Sequence, residues 1–375
     1  MLRSIKRVLL PVVGMAASLA PQALPAQLSA NAVVVASGLE GPRGLRFGPD
    51  GDLYVAEAGT GGTNSTDGQC AQVIAPVGPY TGGLTARISK FDKNWNRTTV
   101  ASGLPSSVDA MGDVQGVADV QFMNGILYAL LAGGGCSHGN PTLPNGVVSV
   151  NAYSGNWRYV SNLSAFMQAN PVQYPNVSDF EPDGTWYSMV AANGALHAVE
   201  PNSGELVRVD AYSGNNLREI DVSASQGHIV PTSVAYNNGT FLLGNLNLFP
   251  IEPNTSRVLT LSLFPPSGFP QPGLSVPGPY YVASTKAGFA TIVGLEFGPN
   301  GLLYVLQLSP GTPYGYPAPG AGKVTRVNRD GSLTDVVTGL SVPTGMTFGP
   351  NGKLYISNFG AAPPGAGQIV VATVQ

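Results

Sequence analysis

Short runs in which apolar and polar residues alternate recur along this chain, and they come in pairs joined by a Gly-containing turn. The clearest pairs are Phe47-Gly-Pro-Asp-Gly-Asp-Leu-Tyr54, Phe297-Gly-Pro-Asn-Gly-Leu-Leu-Tyr304 and Phe348-Gly-Pro-Asn-Gly-Lys-Leu-Tyr355. Positions such as Leu45 and Phe47, then Leu53 and Val55, keep a period of two, which predicts strands. Pro presets φ and Gly accepts φ > 0, so each pair closes as a hairpin. Looser copies are Phe122-Met-Asn-Gly-Ile-Leu-Tyr128, Val190-Ala-Ala-Asn-Gly-Ala-Leu-His197 and Tyr236-Asn-Asn-Gly-Thr-Phe-Leu242. Further β-rich runs, such as 86–91 and 97–100, give about four strands per unit, and no stretch sustains helical periodicity. The anchors Gly51, Gly125, Gly194, Gly239, Gly301 and Gly352 lie 74, 69, 45, 62 and 51 residues apart. Six such units predict an all-β, six-bladed β-propeller with uneven loops.

The two ends of the chain complement each other. Val33-Val-Val-Ala-Ser-Gly-Leu39 matches Thr99-Val-Ala-Ser-Gly-Leu104 and Asp335-Val-Val-Thr-Gly-Leu340, the outer strand that precedes a new blade. The last unit has only residues 368–372 to follow Tyr355. The N-terminal strand is therefore expected to complete the last blade, closing the ring and removing a free edge.

Residues 1–26 have the form of a secretory signal: Arg3, Lys6 and Arg7, an apolar run over 8–20, then Ala23-Leu-Pro-Ala26. The run contains Pro11 and is too short to span a bilayer, so no transmembrane anchor is expected. Residues 27–375 then form a single propeller domain, secreted or periplasmic. Without the three basic residues of the leader, 15 Lys and Arg face 21 Asp and Glu, which disfavours a nucleic-acid partner. The only cysteines, Cys70 and Cys136, follow the second strands of neighbouring blades, and in an exported chain they are expected to form a disulfide.

In such a blade the Pro-Asn-Gly turns share one face, and the connections leaving each second strand emerge on the other. Those connections are long, about 58–86, 132–145, 246–255, 308–322 and 359–367, and carry Tyr80, Phe249, Tyr314, Tyr316 and Phe359. Loops gathered on one face of a repeat protein predict the binding face. The residue three after each repeat Tyr position is Glu57, Leu131, Glu200, Asn245, Gln307 and Asn358, with Arg43, Thr232 and Thr344 opening innermost strands nearby. These ring positions could converge on a ligand, and Glu57, Glu200 and Asn245 could hold a hard cation such as Ca2+. They could equally cap strand ends by hydrogen bonds to loop backbone. His138, inside Gly133-Gly-Gly-Cys-Ser-His-Gly139, is expected to be accessible on the same face, whereas His197 takes a packing position. Asp179 and Glu181 are a further acidic pair. The chain contains no HExxH or CxxC motif.

The pattern resembles the ScyD/ScyE family of NHL-like propeller proteins. The resemblance is carried by Gly41-Pro-Arg-Gly-Leu-Arg-Phe-Gly-Pro-Asp-Gly-Asp-Leu-Tyr-Val-Ala-Glu-Ala-Gly59, Gly78-Pro-Tyr-Thr-Gly-Gly83, Val230-Pro-Thr-Ser-Val-Ala235 and Gly294-Leu-Glu-Phe-Gly-Pro-Asn-Gly-Leu-Leu-Tyr-Val305. It implies an exported propeller and supplies no catalytic residues; Asn245 and Gln307 stand where the family usually carries acids. Two functions follow as expectations. One is non-catalytic binding of a small molecule, glycan or protein at the loop-rich face. The other is a metal-dependent lactonase or lyase acting at the axis, with Glu57, Glu200 and Asn245 around the ion and His138 as base.

Overall fold

Every hairpin legible in the sequence is a strand pair in the structure, a computed structural model that describes residues 27–247, 249–264, 278–311 and 317–374. The leader-like segment 1–26, Tyr314 and Tyr316 lie outside the described residues. Strand β1 (Ala32–Leu39) comes first and stands apart from the blade that follows it. Blade 1 contains β2 (Pro42–Phe47), β3 (Leu53–Glu57), β4 (Thr81–Phe91), β5 (Arg97–Val108) and a short fifth strand, β6 (Val114–Gln115). Blade 2 is β7 (Val117–Met123), β8 (Ile126–Leu131), β9 (Gly146–Val150) and β10 (Trp157–Asn162), and blade 3 is β11 (Ser188–Ala192), β12 (Ala195–Glu200), β13 (Glu205–Val209) and β14 (Asn216–Asp221). Blade 4 is β15 (Pro231–Asn237), β16 (Thr240–Asn245), β17 (Ser256–Ser262) and β18 (Tyr281–Phe289); blade 5 is β19 (Ile292–Phe297), β20 (Leu303–Gln307), β21 (Gly322–Val327) and β22 (Leu333–Leu340). Blade 6 is β23 (Gly345–Phe348), β24 (Leu354–Asn358) and β25 (Gly367–Ala372), and β1 is its outer strand, with Ala32 opposite Ala372 and Leu39 opposite Gly367. The ring closes as expected.

The recurring Phe-Gly-Pro-Asp/Asn-Gly-x-Leu-Tyr turn holds neighbouring blades together. Its Tyr packs edge-on against the Phe of the next blade: Tyr54 on Phe122, Tyr304 on Phe348 and Tyr355 on Phe47, with ring centroids 4.8–4.9 Å apart. The Asp or Asn of the same turn satisfies the phenol: Tyr54 donates to Asp50 Oδ2 at 2.8 Å, while Asn300 and Asn351 donate to Tyr304 and Tyr355 at 2.9 and 2.8 Å. A Cβ at Gly48, Gly298 or Gly349 would come within 2.5–2.6 Å of that Tyr ring, so the Gly before Pro is required by packing. His197 takes the Tyr position of blade 3, buried with its ring 4.6 Å from Phe241.

Two features depart from the sequence reading. Strand β4 begins at Thr81, so the first long connection spans 58–80 rather than 58–86. Two short helices interrupt the β-structure, α1 (Leu163–Ala169) and α2 (Ser223–Gln226). α1 is capped by Asn162, whose side chain accepts from Ala165 N, and it buries Leu163 and Met167 in the cluster around Trp186. Two turns are too few to register as a helical period.

Candidate functional site

The ring of residues three after each Tyr position lies at the ends of the second strands, and its polar members are fastened to backbone. Glu57 Oε2 accepts from Glu40 N at 2.8 Å, and the carboxylate also receives Arg87, Arg97 and Ser89. Glu200 accepts from Thr185 N and Ser203 N, and Asn245 accepts from Arg257 N while donating to Ile229 O. Gln307 accepts from Ala290 N and Asn358 from Ser341 N, both at 2.8 Å. These five side chains are latches: each fixes a connection of its own blade. In blade 2, where the position is Leu131, Asn145 does the corresponding work by accepting from Gly134 N and donating to Gly184 O. Among the described residues no three His, Cys, Asp or Glu side chains are grouped to hold a metal ion. Thr232 and Thr344 link blades at the inner rim, donating to Ile292 O and Pro42 O.

Inner strands of all six blades line the axis, which is nearly filled. Gly44, Leu45, Asp119, Met189, Val234, Leu295 and Met346 leave a space of about 30 Å³, room for roughly two waters. Arg46 spans it, donating to Glu296 at 2.7 Å and to Thr347 at 3.1 Å. Asp119 accepts from Met189 N and Val120 N, and burial, opposed by Arg46, pushes its carboxyl up to about 6.

Nearer the loop-rich face lies a smaller hollow, of about 10 Å³, lined by Arg43, Gln115, Gly116, Ala118, Trp186 and Tyr187. Arg43 is buried and held there by Val114 O at 2.5 Å and Asp113 at 3.2 Å. Tyr187 reaches Thr344 O at 3.4 Å, and its phenol is raised to about 12 by burial. The indole Nε1 of Trp186 is buried without a hydrogen-bond partner.

On the same face lies a second polar cluster. The expectation that His138 is accessible is overturned: the ring is fully buried. It belongs to a short 3-10 turn, Cys136–His138, that the Cys70–Cys136 disulfide ties to the long connection of blade 1. Thr66 donates to Cys136 O and Asn64 to Gly139 O, covering the histidine further. Gly139 and Gly82 meet so closely that a Cβ on either would lie 2.4–2.5 Å from the other strand's backbone. The glycines around His138 thus permit contact rather than exposure.

Within this cluster Ser107 Oγ and His138 Nδ1 are 2.8 Å apart, and the Tyr80 ring packs on the imidazole at 4.4 Å. Glu181 lies beyond, its Oε2 3.9 Å from His138 Nε2 and its Oε1 3.5 Å from the Tyr80 hydroxyl. Both His138 Nε2 and Glu181 Oε2 are buried with no partner. Burial lowers His138 to about 4, and burial with the nearby Glu200 and Asp179 carboxylates lifts Glu181 well above the usual range. At neutral pH the imidazole is uncharged, and it faces a carboxyl whose protonated form burial favours. The sequence had singled out Tyr80, His138 and Glu181 separately; Ser107, Trp186 and Tyr187 carry no motif, because the fold alone brings strand ends and connections of three blades together. Asp179 pairs instead with His228 at 2.8 Å.

No family model matches the chain, and no curated protein matches it. Solved structures do. A Bacteroides thetaiotaomicron protein of unknown function is 12% identical with a TM-score of 0.54, covering 92% of this chain and 76% of its own. A putative oxidoreductase (glucose dehydrogenase) from Thermus thermophilus is 18% identical with a TM-score of 0.51, covering 92% of this chain and all of its own. A putative gluconolactonase is 12% identical with a TM-score of 0.50, covering 92% of each chain. The likeness is one of fold.

Proposed function

We propose that this is an exported β-propeller protein that binds a small molecule, glycan or protein on its loop-rich face, over the small hollow beside Trp186. The observation that carries the reading is the unpaired, buried Trp186 Nε1 beside Arg43, Gln115 and Tyr187: a donor, a cation, an amide and an aromatic ring around one hollow. The disulfide and the signal-like segment support placement outside the cytoplasm, and the resemblance to the ScyD/ScyE family points the same way. A thermal-shift screen of carboxylates, nucleosides and oligosaccharides tests it. Compounds that raise the melting temperature should lose that effect in Trp186→Phe and Tyr187→Ala; a shift undiminished in both variants places the ligand elsewhere.

A second reading, an enzyme of the lactonase or lyase class, is favoured by the alignment of Ser107, His138 and Glu181 with Tyr80, groups suited to holding and passing a proton. Two fold neighbours are named as a putative glucose dehydrogenase and a putative gluconolactonase, and activity must be argued from the site. Ca2+ at Glu57, Glu200 and Asn245 would have to displace the latches, which weighs against the ion there. Elemental analysis of dialysed protein decides it: stoichiometric calcium, lost in the Glu57→Gln, Glu200→Gln double variant, would reinstate the metal. Hydrolysis of aldonolactones that survives His138→Gln would remove the proton-passing role.

A further inference from the structure

We infer that the opposite face, where the hairpin turns lie, carries a binding surface for a neutral polysaccharide, built from Tyr153 and Tyr212. The turns joining the third and fourth strands of blades 2 and 3 repeat each other: Asn151-Ala-Tyr-Ser-Gly-Asn156 and Asp210-Ala-Tyr-Ser-Gly-Asn215. Their geometry repeats as well. Asn151 Oδ1 accepts from Tyr153 N and Ser154 N at 3.0 Å, and Asp210 Oδ1 accepts from Tyr212 N and Ser213 N at 2.9 Å. Gly155 and Gly214 take positive φ and press on the outer strand of the preceding blade, where an added Cβ would lie 2.6 and 2.3 Å from Val100 O and Val160 O. The register places both turns beside Asn124-Gly125 and Asn193-Gly194, away from the loop-rich face.

This turn needs the Asn or Asp and the Gly. It does not need tyrosine, yet both copies have one and each is fully exposed, at 102%. The equivalent turn of blade 1 carries Trp95, but that ring packs on Phe91 and Tyr355, and the blade 5 turn, 328–332, has no aromatic. The exposed pair is therefore not a by-product of the repeat.

The surroundings decide the partner. Each ring offers a flat apolar face with a polar edge, flanked by exposed Ser154 and Asn156 or Ser213 and Asn215. A pyranose presents the complement, C–H faces rimmed by hydroxyls. A protein partner would call for a contiguous apolar patch, whereas the exposed neighbours of each ring within its turn are Ser and Asn. The only carboxylate in either turn, Asp210, is held as the turn acceptor with the Arg208 cation near it, so the turns offer no net charge to select a charged polymer, and the polymer is neutral. Two weak platforms held one blade apart on a rigid scaffold favour a long chain over a short oligosaccharide through effective concentration.

Affinity electrophoresis of the mature protein in gels containing hydroxyethylcellulose, xylan or galactomannan tests the surface. At least one polymer should retard the protein. Each of Tyr153→Ala and Tyr212→Ala should weaken apparent binding by about tenfold, the double variant should migrate as in a polymer-free gel, and both Tyr→Phe variants should retain retardation, since stacking carries the contact. Because both side chains are fully exposed, circular dichroism should be unchanged. No retardation by any of the three polymers, or equal retardation of wild type and the double Ala variant, overturns the inference.

Discussion

Replacing Glu57 by Ala should destabilise the protein more than removing any other latch. Its carboxylate is fully buried and receives Ser89 Oγ at 2.5 Å, Arg87 at 3.1 and 3.3 Å, Arg97, and the Glu40 backbone N–H. Truncation leaves two guanidinium groups facing a hole. Removing one partner of a buried ion pair costs about 3–5 kcal/mol. Arg87 and Arg97 keep 25% and 26% of their side chains exposed, so water relieves part of the loss, and we expect the lower end, about 3 kcal/mol. Asn358→Ala removes two neutral hydrogen bonds, to Ser341 N and Gln368, and should cost about 1.5 kcal/mol. An unfolding entropy of about 2.1 cal/mol/K per residue over roughly 350 residues converts these to falls in Tm of about 4 and 2 °C. Thermal melts followed by circular dichroism at neutral pH measure both, and Glu57→Gln should fall between them because it keeps the shape but turns a donor toward donors. If Glu57→Ala melts within about 1 °C of wild type, or above Asn358→Ala, the charge-assisted latch is not what holds this connection.

Other consequences are directly measurable. Loss of the disulfide in a Cys70→Ser, Cys136→Ser variant opens a loop of 66 residues and should cost about 4 kcal/mol, while the native protein should show no free thiol under denaturing titration. Because burial lowers His138 to about 4, the unfolded chain binds the extra proton first: stability from this group is full above about pH 6.5 and falls as pH drops toward 4. Its ring resonances should stay constant above about pH 5, and His138→Gln should remove that share of the acid sensitivity. Gly44→Ala should prevent folding or lower Tm severely, because a Cβ there would lie 1.8 Å from Asp119 Oδ1 and 2.8 Å from its Cα; a variant with unchanged melting would show that the axis is not tightly filled.

The scaffold was legible because it is repeated. A period of two, broken each time by an Asn-Gly or Asp-Gly turn, recurs six times, and the ring closure followed from an outer-strand motif left over at one end and missing at the other. The site was legible only in pieces. Glu57 and Asn358 are conspicuous by register, but whether an oxygen faces an ion or an amide depends on where the connecting backbone returns, and residues 40 and 341 carry no sign of that. His138 misled for a physical reason. Glycine-rich sequence permits both exposure and close backbone approach, and here Gly139 meets Gly82 and buries the ring. Trp186 and Tyr187 belong to the irregular segment before β11, where no periodicity marks which way a side chain turns.

The pairing of β1 with β25 sets a timetable for folding. Val34 lies opposite Val370, so a strand made before blades 1 to 5 has its partner made after them. A ribosome releases the chain from its N-terminus onward, and during that whole interval residues 32–39 are a β-forming segment with an unpaired edge, two of whose valines, Val33 and Val34, stay exposed even in the finished protein. Blades 1 to 5 can each assemble from local hairpins as they emerge. The sixth cannot, and the long sequence separation of its contacts makes ring closure the slow, late event. Up to that point the molecule is an open arc whose two ends are free to pair with those of another copy, and its exposure to misassembly should track the time between synthesis of the first strand and the last.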